Sequence, residues 1–238
     1  MRPPLALAAA LVLAAGCAAV GGADRPSLIR RAVDSTVQLR AEREGGGRRW
    51  ASGVVVAADA AGRAWVVTTR HFLEPPTRQD IFVYAPGRRG RARADLLAVS
   101  DESDLAVLTV EGIGLPPVSL QDTVRLGDEV WLVSFPWGRR LTVVSGIVSQ
   151  IAGDDGDVAF EGAVRLVDAP ASQGASGGGV FDAGTGRLVG IVEGYRTARV
   201  MLGGAPERSV DIPWPGETSV LGVPAIRRLL QRANVAAP

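Results

Sequence analysis

Residues 52–71 read SGVVVAADAAGRAWVVTTRH, and this stretch decides the fold. Residues 53–57 are apolar and largely β-branched, 59–62 carry turn residues, and 64–69 are again β-branched and aromatic. Two such runs around a short turn predict a β-hairpin. Outward from it, the same signals predict strands at 36–40, 80–85, 94–99 and 105–110. Further on they predict strands at 129–134, 141–151, 158–167, 179–182, 187–193 and 199–202. Residues 45–49 read as a loop, and the Gly/Pro-rich 112–117 as the link between two halves. Helical spacing is confined to 26–33 (Leu28, Ile29, Ala32, Val33), with Asp24 as a cap, and to 224–232 (Ile226, Leu229, Leu230). Many short strands at this spacing predict an all-β sandwich or barrel with a helix at each end. Residues 53–69 and 178–193 echo one another as hairpins, as two similar barrels would produce.

The chain has 238 residues, 47% hydrophobic and 21% charged, enough for one large domain or two small ones. Its 30 Gly and 15 Pro show no triplet period, which excludes a collagen-like chain and suits strands joined by tight turns. The net charge is +1 with no long basic run, so no nucleic-acid partner is implied. One Cys excludes an internal disulfide and a cysteine zinc cluster, and one His excludes a multi-histidine metal centre. No metal or other cofactor is expected.

The first residues read as an address. Arg2 followed by an apolar run over 5–15 is a secretory signal, too short to remain as a membrane span. It ends in Leu13-Ala14-Ala15-Gly16-Cys17, which resembles a bacterial lipobox, cut before a cysteine that then carries lipid. The competing reading is an ordinary signal peptide cut after Gly16, with Cys17 incidental. Ala18 after the Cys resembles lipoproteins sorted to an outer membrane. The expected organisation is a signal over 1–16, a lipidated Cys17 and tether over 17–25, a first barrel over 26–115, and a second barrel with closing helix over 116–238. The expected location is the periplasmic side of a bacterial envelope, with the membrane reached through Cys17.

Three residues carry chemistry. Ser176 sits in Gln173-Gly174-Ala175-Ser176-Gly177-Gly178-Gly179 between two strands. A nucleophilic Ser needs a tight bend that exposes Oγ and backbone N–H groups aimed at a developing oxyanion, and glycines permit both. A plain glycine-rich connection is the bland alternative. His71 is the one imidazole, so any histidine base for such a serine must be His71. Alone it would read as a structural histidine. Asp104 precedes the apolar run 105–108, where its carboxylate can accept the Nδ1–H of His71. Its alternative is a turn aspartate in the acidic cluster Asp101, Glu102, Asp104.

The order His, Asp, Ser resembles the chymotrypsin-like serine proteases, and the chain is most similar to the protease domain of the HtrA/Deg family. The resemblance rests on Ser52-Gly53-Val54-Val55 with Val66 to His71, and on Ser103 to Leu108. It also rests on Leu126-Gly127-Asp128, Ser134-Phe135-Pro136-Trp137-Gly138, Val144 to Ser149, Asp168-Ala169 with Gly174 to Gly178, and Leu221 to Pro224. It implies two perpendicular six-stranded β-barrels with a cleft between them. It further implies a His71, Asp104, Ser176 triad acting on polypeptides, and an oxyanion hole from the N–H groups of Gly174 and Ser176. Activity that falls as the imidazole protonates would follow.

Departures from the pattern are Ala175 where the family has Asn or Asp, Gly179 where it has Pro, and Arg70 beside His71. Ala175 leaves open how the oxyanion loop is held. Gly179 reads as added flexibility. Arg70 reads as facing solvent, or contacting substrate or Asp101 and Glu102. No peptide-binding PDZ segment follows before Pro238. Residues 196–216 read as a long loop near the specificity pocket. The resemblance places pocket walls at 168–173 and 191–194, making Pro170, Gln173, Val192, Glu193 and Gly194 the substrate-contact candidates. Pro170 offers no carboxylate, so a small or medium aliphatic residue is the expected preference. Substrate is expected to add as a strand along Glu193-Gly194-Tyr195. The runner-up readings are the same fold used as a silent binding protein or holdase, and a structural lipoprotein. Monomer and trimer both stay open.

Overall fold

The computed structural model describes residues 24–75, 78–153, 159–203 and 208–237; the expected signal and Cys17 lie outside the described residues. After α1 (Arg25–Asp34) come β1 (Thr36–Arg43), β2 (Arg48–Ala58), β3 (Arg63–Thr69), β4 (Gln79–Tyr84), β5 (Ala92–Val99) and β6 (Leu105–Glu111). The second half holds β7 (Val124–Arg125), β8 (Glu129–Ser134), β9 (Thr142–Ile151), β10 (Glu161–Gly162), β11 (Val164–Val167), β12 (Gly179–Asp182), β13 (Leu188–Leu202), β14 (Arg208–Gly222) and α2 (Val223–Arg232). Strands β1-β2-β3-β6-β5-β4 close one barrel and β11-β14-β13-β12-β8-β9 another, while β7 and β10 form a small separate pair. Both barrels are six-stranded, as the family resemblance implies.

The apolar runs are continuous because both faces of these strands are buried. In β2, Val55 points into the first barrel while Val54 and Val56 point out of it. In β6, Ala106 and Leu108 fill the first barrel while Leu105 and Val107 face out. The second barrel repeats this. Val130, Leu132 and Val180 point inward; Trp131, Val133 and Phe181 point outward. The outward sets meet in one cluster between the barrels, which the helices complete with Leu28, Ala32, Ile226, Leu229 and Leu230. Helix α2 packs against β6 of one barrel and against β13 and β14 of the other, bracing both.

Traced in chain order, the two barrels have the same strand order. The hairpin echo has a different origin, however. Residues 53–69 form the second and third strands of their barrel, whereas 178–193 fall in the fourth and fifth strands of theirs. The likeness therefore comes from shared hairpin chemistry, not from equivalent positions.

Several boundaries differ from expectation. The 45–49 loop is shorter, since Arg48 and Arg49 already belong to β2 and pair with Glu42 and Ala41. The strand expected over 158–167 is broken into β10 and β11. Asp24 stands at the N-cap of α1, but its side chain makes no capping bond; its carbonyl accepts the Leu28 N–H instead. The 196–216 segment is largely not a loop: β13 and β14 continue as a paired ribbon out to Leu202↔Arg208. A ribbon with free edges tolerates Pro213 and Pro215. Gly179 is likewise no hinge. It is buried in β12, and a Cβ there would lie 2.3 Å from the Phe181 ring, so the glycine makes room for that ring.

Phe181 is fully buried in the seam. Phe181→Ala is expected to destabilise the protein by about 3–5 kcal/mol, through lost burial and a cavity the barrels cannot collapse. Urea unfolding checks this; a loss below about 1 kcal/mol would mean that the seam contributes little to stability.

Candidate active site

Strands β3 and β6 are neighbours, and their last pair is Thr69↔Leu105. His71 follows β3 in a 3₁₀ turn (Arg70–Leu73), and Asp104 immediately precedes β6. Antiparallel pairing thus brings together residues 33 positions apart. The Asp104 carboxylate receives two bonds from one residue: His71 N–H to Oδ1 at 2.7 Å and His71 Nδ1 to Oδ2 at 2.5 Å. An ionised carboxylate is acceptor-only, so Nδ1 carries the proton and Nε2 is left free to accept one. The turn that presents Asp104 is tied by Ser100, whose Oγ accepts the N–H groups of Glu102 and Ser103. Arg49 donates to the carbonyls of His71 and Glu74, steadying the histidine turn from β2. Arg70 does not reach Asp101 or Glu102: it bonds the Ser100 carbonyl and pairs with Glu74, while Glu102 pairs with Arg228 and Arg232 of α2.

Ser176 lies in the turn between β11 and β12. Ala175 N–H donates to Ser172 O at 2.9 Å, and Gly174 has φ +88°. An i→i+3 bond with positive φ at only the third residue is a type II turn, which requires glycine there. Gly177 also has positive φ (+80°), and a Cβ on it would lie 2.1 Å from the Ser52 carbonyl oxygen. Only glycine lets the loop approach the first barrel this closely. Ala175, in place of a polar residue, is buried in the core of the second barrel.

The Gln173 carbonyl accepts the Trp137 N–H at 2.6 Å. In a trans peptide the N–H points opposite to the C=O, so the Gly174 N–H is directed away from Trp137. Among the described residues, the N–H groups of Gly174 and Ser176 and the Ser176 hydroxyl have no hydrogen-bond partner. A cavity of about 390 Å³ gathers His71, Gln173, Gly174, Ser176, Trp137 and Tyr195. It thus holds a free hydroxyl, an oriented imidazole and two unpaired amides together, the parts needed to attack a carbonyl and hold the resulting oxyanion.

Of the expected pocket residues, Gln173 lines this cavity; Pro170, Val192, Glu193 and Gly194 do not. Val192 is buried in the second barrel, and its backbone bonds Gly177 and Gly178. β12 stops pairing with β13 at Gly179↔Ile191, so Glu193 to Tyr195 carry no strand on that edge. The cavity is lined also by Arg48, Arg49, Trp50 and Trp137, to which the sequence reading assigned no role. For Trp137 the only signal was its place between Pro136 and Gly138.

Glu193 is half-buried. Burial, and then the Asp104 charge, push its carboxyl up from the ordinary value, against smaller pulls from His71 and Arg165. A folded carboxyl raised above its unfolded value favours the protonated native state. Its ionisation therefore costs stability as pH rises from the ordinary carboxylate range through the raised one. Glu193→Gln is expected to melt higher than the unsubstituted protein at pH 7, with the gap closing toward pH 4. A gap that is constant or reversed would refute this.

A family model described as "Trypsin-like peptidase domain" matches residues 51–191. A probable periplasmic serine endoprotease, DegP-like, of Ectopseudomonas mendocina (strain ymp) is 28% identical over 172 residues, covering 70% of this chain and 34% of that protein. A DegP-like relative in Brucella suis biovar 1 (strain 1330) is 31% identical over 144 residues, 59% of this chain and 26% of that protein. The chain thus spans about a third or less of the length of these curated relatives. Among solved structures, the HtrA-type protease AlgW with tripeptide superposes with TM-score 0.68 at 23% identity, covering 87% of this chain and 62% of that one. A serine endoprotease from Yersinia pestis gives 0.66 at 23% identity, covering 88% and 66%. These two share the fold.

Proposed function

The chain belongs to the trypsin-like peptidase domain family, and from that premise we propose that it is a serine endopeptidase working through Ser176, His71 and Asp104. The observation that carries the reading is the two-point hold of Asp104 on His71, with Ser176 in the same cavity. Ser176 Oγ attacks the scissile carbonyl carbon as His71 Nε2 takes its proton. Asp104 holds the tautomer that makes this possible and stabilises the imidazolium. The oxyanion is received by the N–H groups of Gly174 and Ser176. His71 then protonates the leaving amine, and an acyl group remains on Ser176 until water, activated by the same imidazole, releases it.

Substrate is a polypeptide laid along the open edge at Glu193 to Tyr195 as an added strand, with a small or medium aliphatic side chain before the cut. The relatives' description as periplasmic, together with the leader, supports a place in a bacterial envelope; a part in protein quality control or processing there goes with the proposal. Cys17 is the lipid anchor to the outer membrane. Palmitate labelling that is unaffected by Cys17→Ala would remove that anchor.

Active-site labelling tests the enzyme reading. A fluorophosphonate probe is expected to modify Ser176, located by mass spectrometry, and His71→Ala is expected to prevent it. A folded protein that takes no label, yet retains unfolded polypeptide, would favour the silent binding protein.

A further inference from the structure

A type II turn at Ser172 to Ala175 aims the Gly174 N–H toward substrate. Glycine also accepts the type I form, in which the Gln173–Gly174 peptide is turned over and a carbonyl points into the site. The local sequence does not choose between them, and the buried methyl of Ala175 has no polar atom with which to choose. The choice is made from outside the loop. Trp137 N–H takes the Gln173 carbonyl at 2.6 Å. To offer it, Trp137 adopts φ 57°, ψ 20°, a left-handed conformation that a bulky residue holds only when its surroundings impose it. Gly138 follows at φ +60°, its missing Cβ replaced by the Trp50 ring.

Ser52 joins this clamp to its target. It is fully buried in β2 of the first barrel. Its Oγ donates to the Gly174 carbonyl at 2.9 Å and accepts the Phe135 N–H at 2.9 Å, at the start of the turn that carries Trp137. Its own N–H donates to the Ser176 carbonyl at 2.8 Å, and its carbonyl accepts Thr68 Oγ1 at 2.8 Å. One hydroxyl thus fixes the spacing between the Trp137 turn and the Gly174 peptide, and one backbone amide fixes the residue bearing the nucleophile. All three bonds cross from the first barrel to the second.

We propose that Ser52 is a positioning residue that latches the oxyanion loop in its receptive form from across the barrel interface, the hold that Ala175 does not supply. This rests on the serine-peptidase reading. If the latch is lost, the Gln173–Gly174 peptide is free to turn over, and the site binds peptide but stabilises the oxyanion poorly. The effect belongs in kcat and not in KM.

The test compares the full chain with Ser52→Ala, using a fluorogenic peptide that the unsubstituted protein cleaves and the rate of fluorophosphonate labelling at Ser176. The expected result is a kcat lower by about 10- to 100-fold, short of the ~10²–10³ for losing an oxyanion donor outright. KM should stay within about threefold and labelling should slow in parallel. Should Ser52→Ala fail to melt cooperatively, Ser52→Cys is read in its place: its thiol is a weaker and longer donor and acceptor, so a smaller loss in kcat in the same direction, with KM unmoved, is expected. Unchanged kcat and labelling, or a loss confined to KM, overturns the proposal while leaving the peptidase reading standing. An unsubstituted protein that neither cleaves nor labels overturns both.

Discussion

Ser176→Ala is expected to lower peptide hydrolysis on the order of 10⁶-fold while leaving the fold untouched. The two halves of that statement have separate causes. The loop is held without the Ser176 side chain: Ser176 O by Ser52 N–H, Gly174 O by Ser52 Oγ, Gly177 N–H by Val192 O, and Ala175 N–H by Ser172 O. None of these involves the Ser176 side chain, whose hydroxyl has no bond to lose among the described residues, so the melting temperature should barely move. What disappears is the covalent step. The amides of Gly174 and Ser176 and the peptide-binding edge remain, so a residual ~10³–10⁴-fold over the uncatalysed reaction should persist. Turnover of an unfolded polypeptide, measured on protein of verified mass, decides the matter. An alanine variant within tenfold of the parent would mean that another group attacks the substrate, and the assignment of Ser176 would fall.

The strand framework is legible in the sequence because the barrels bury both faces of β2, β6 and β8, turning alternation into unbroken Val and Leu runs. Where that pressure lapses, reading fails. The β13–β14 ribbon beyond Tyr195 has no barrel against it. Val200, Leu202, Val210 and Ile212 stay exposed there, and the sequence marks only the strand at 199–202, the rest of the ribbon reading as a loop. The site divides in the same way. His71, Asp104 and Ser176 act through side chains whose chemistry is written in their type. Trp137 acts through a main-chain N–H group that any residue but proline carries, so its residue type does not mark it, whereas Gly174 is marked by the glycine run around Ser176 and by the family resemblance. Ser52 stood in a recognisable Ser-Gly-Val run, but its function depends on Phe135 and Gly174, 83 and 122 residues away. Only folding brings those partners into reach.

Asp104→Asn is expected to lower kcat by about 10⁴-fold with KM little changed, and the reason lies in which oxygen faces which donor. In the native site both carboxylate oxygens accept from His71, one from the main-chain N–H and one from Nδ1. An asparagine has a single oxygen. The main-chain N–H can only donate, so it claims that oxygen, and the amide NH₂ is left facing Nδ1. Two donors cannot share a bond; Nδ1 must give up its proton and accept, which moves the proton to Nε2. The imidazole then presents an N–H to Ser176 and is unable to take the hydroxyl proton. Size and hydrogen-bond count are nearly preserved, so stability should change little and the loss should appear in the chemical step. Because His71 is the one histidine in the chain, ¹⁵N-histidine NMR reports its tautomer without ambiguity. The expected spectrum shows protonated Nδ1 in the parent and protonated Nε2 in the variant. A variant that keeps the parent tautomer, or loses less than about tenfold in kcat, would show that Asp104 neither selects the proton position nor supports the base.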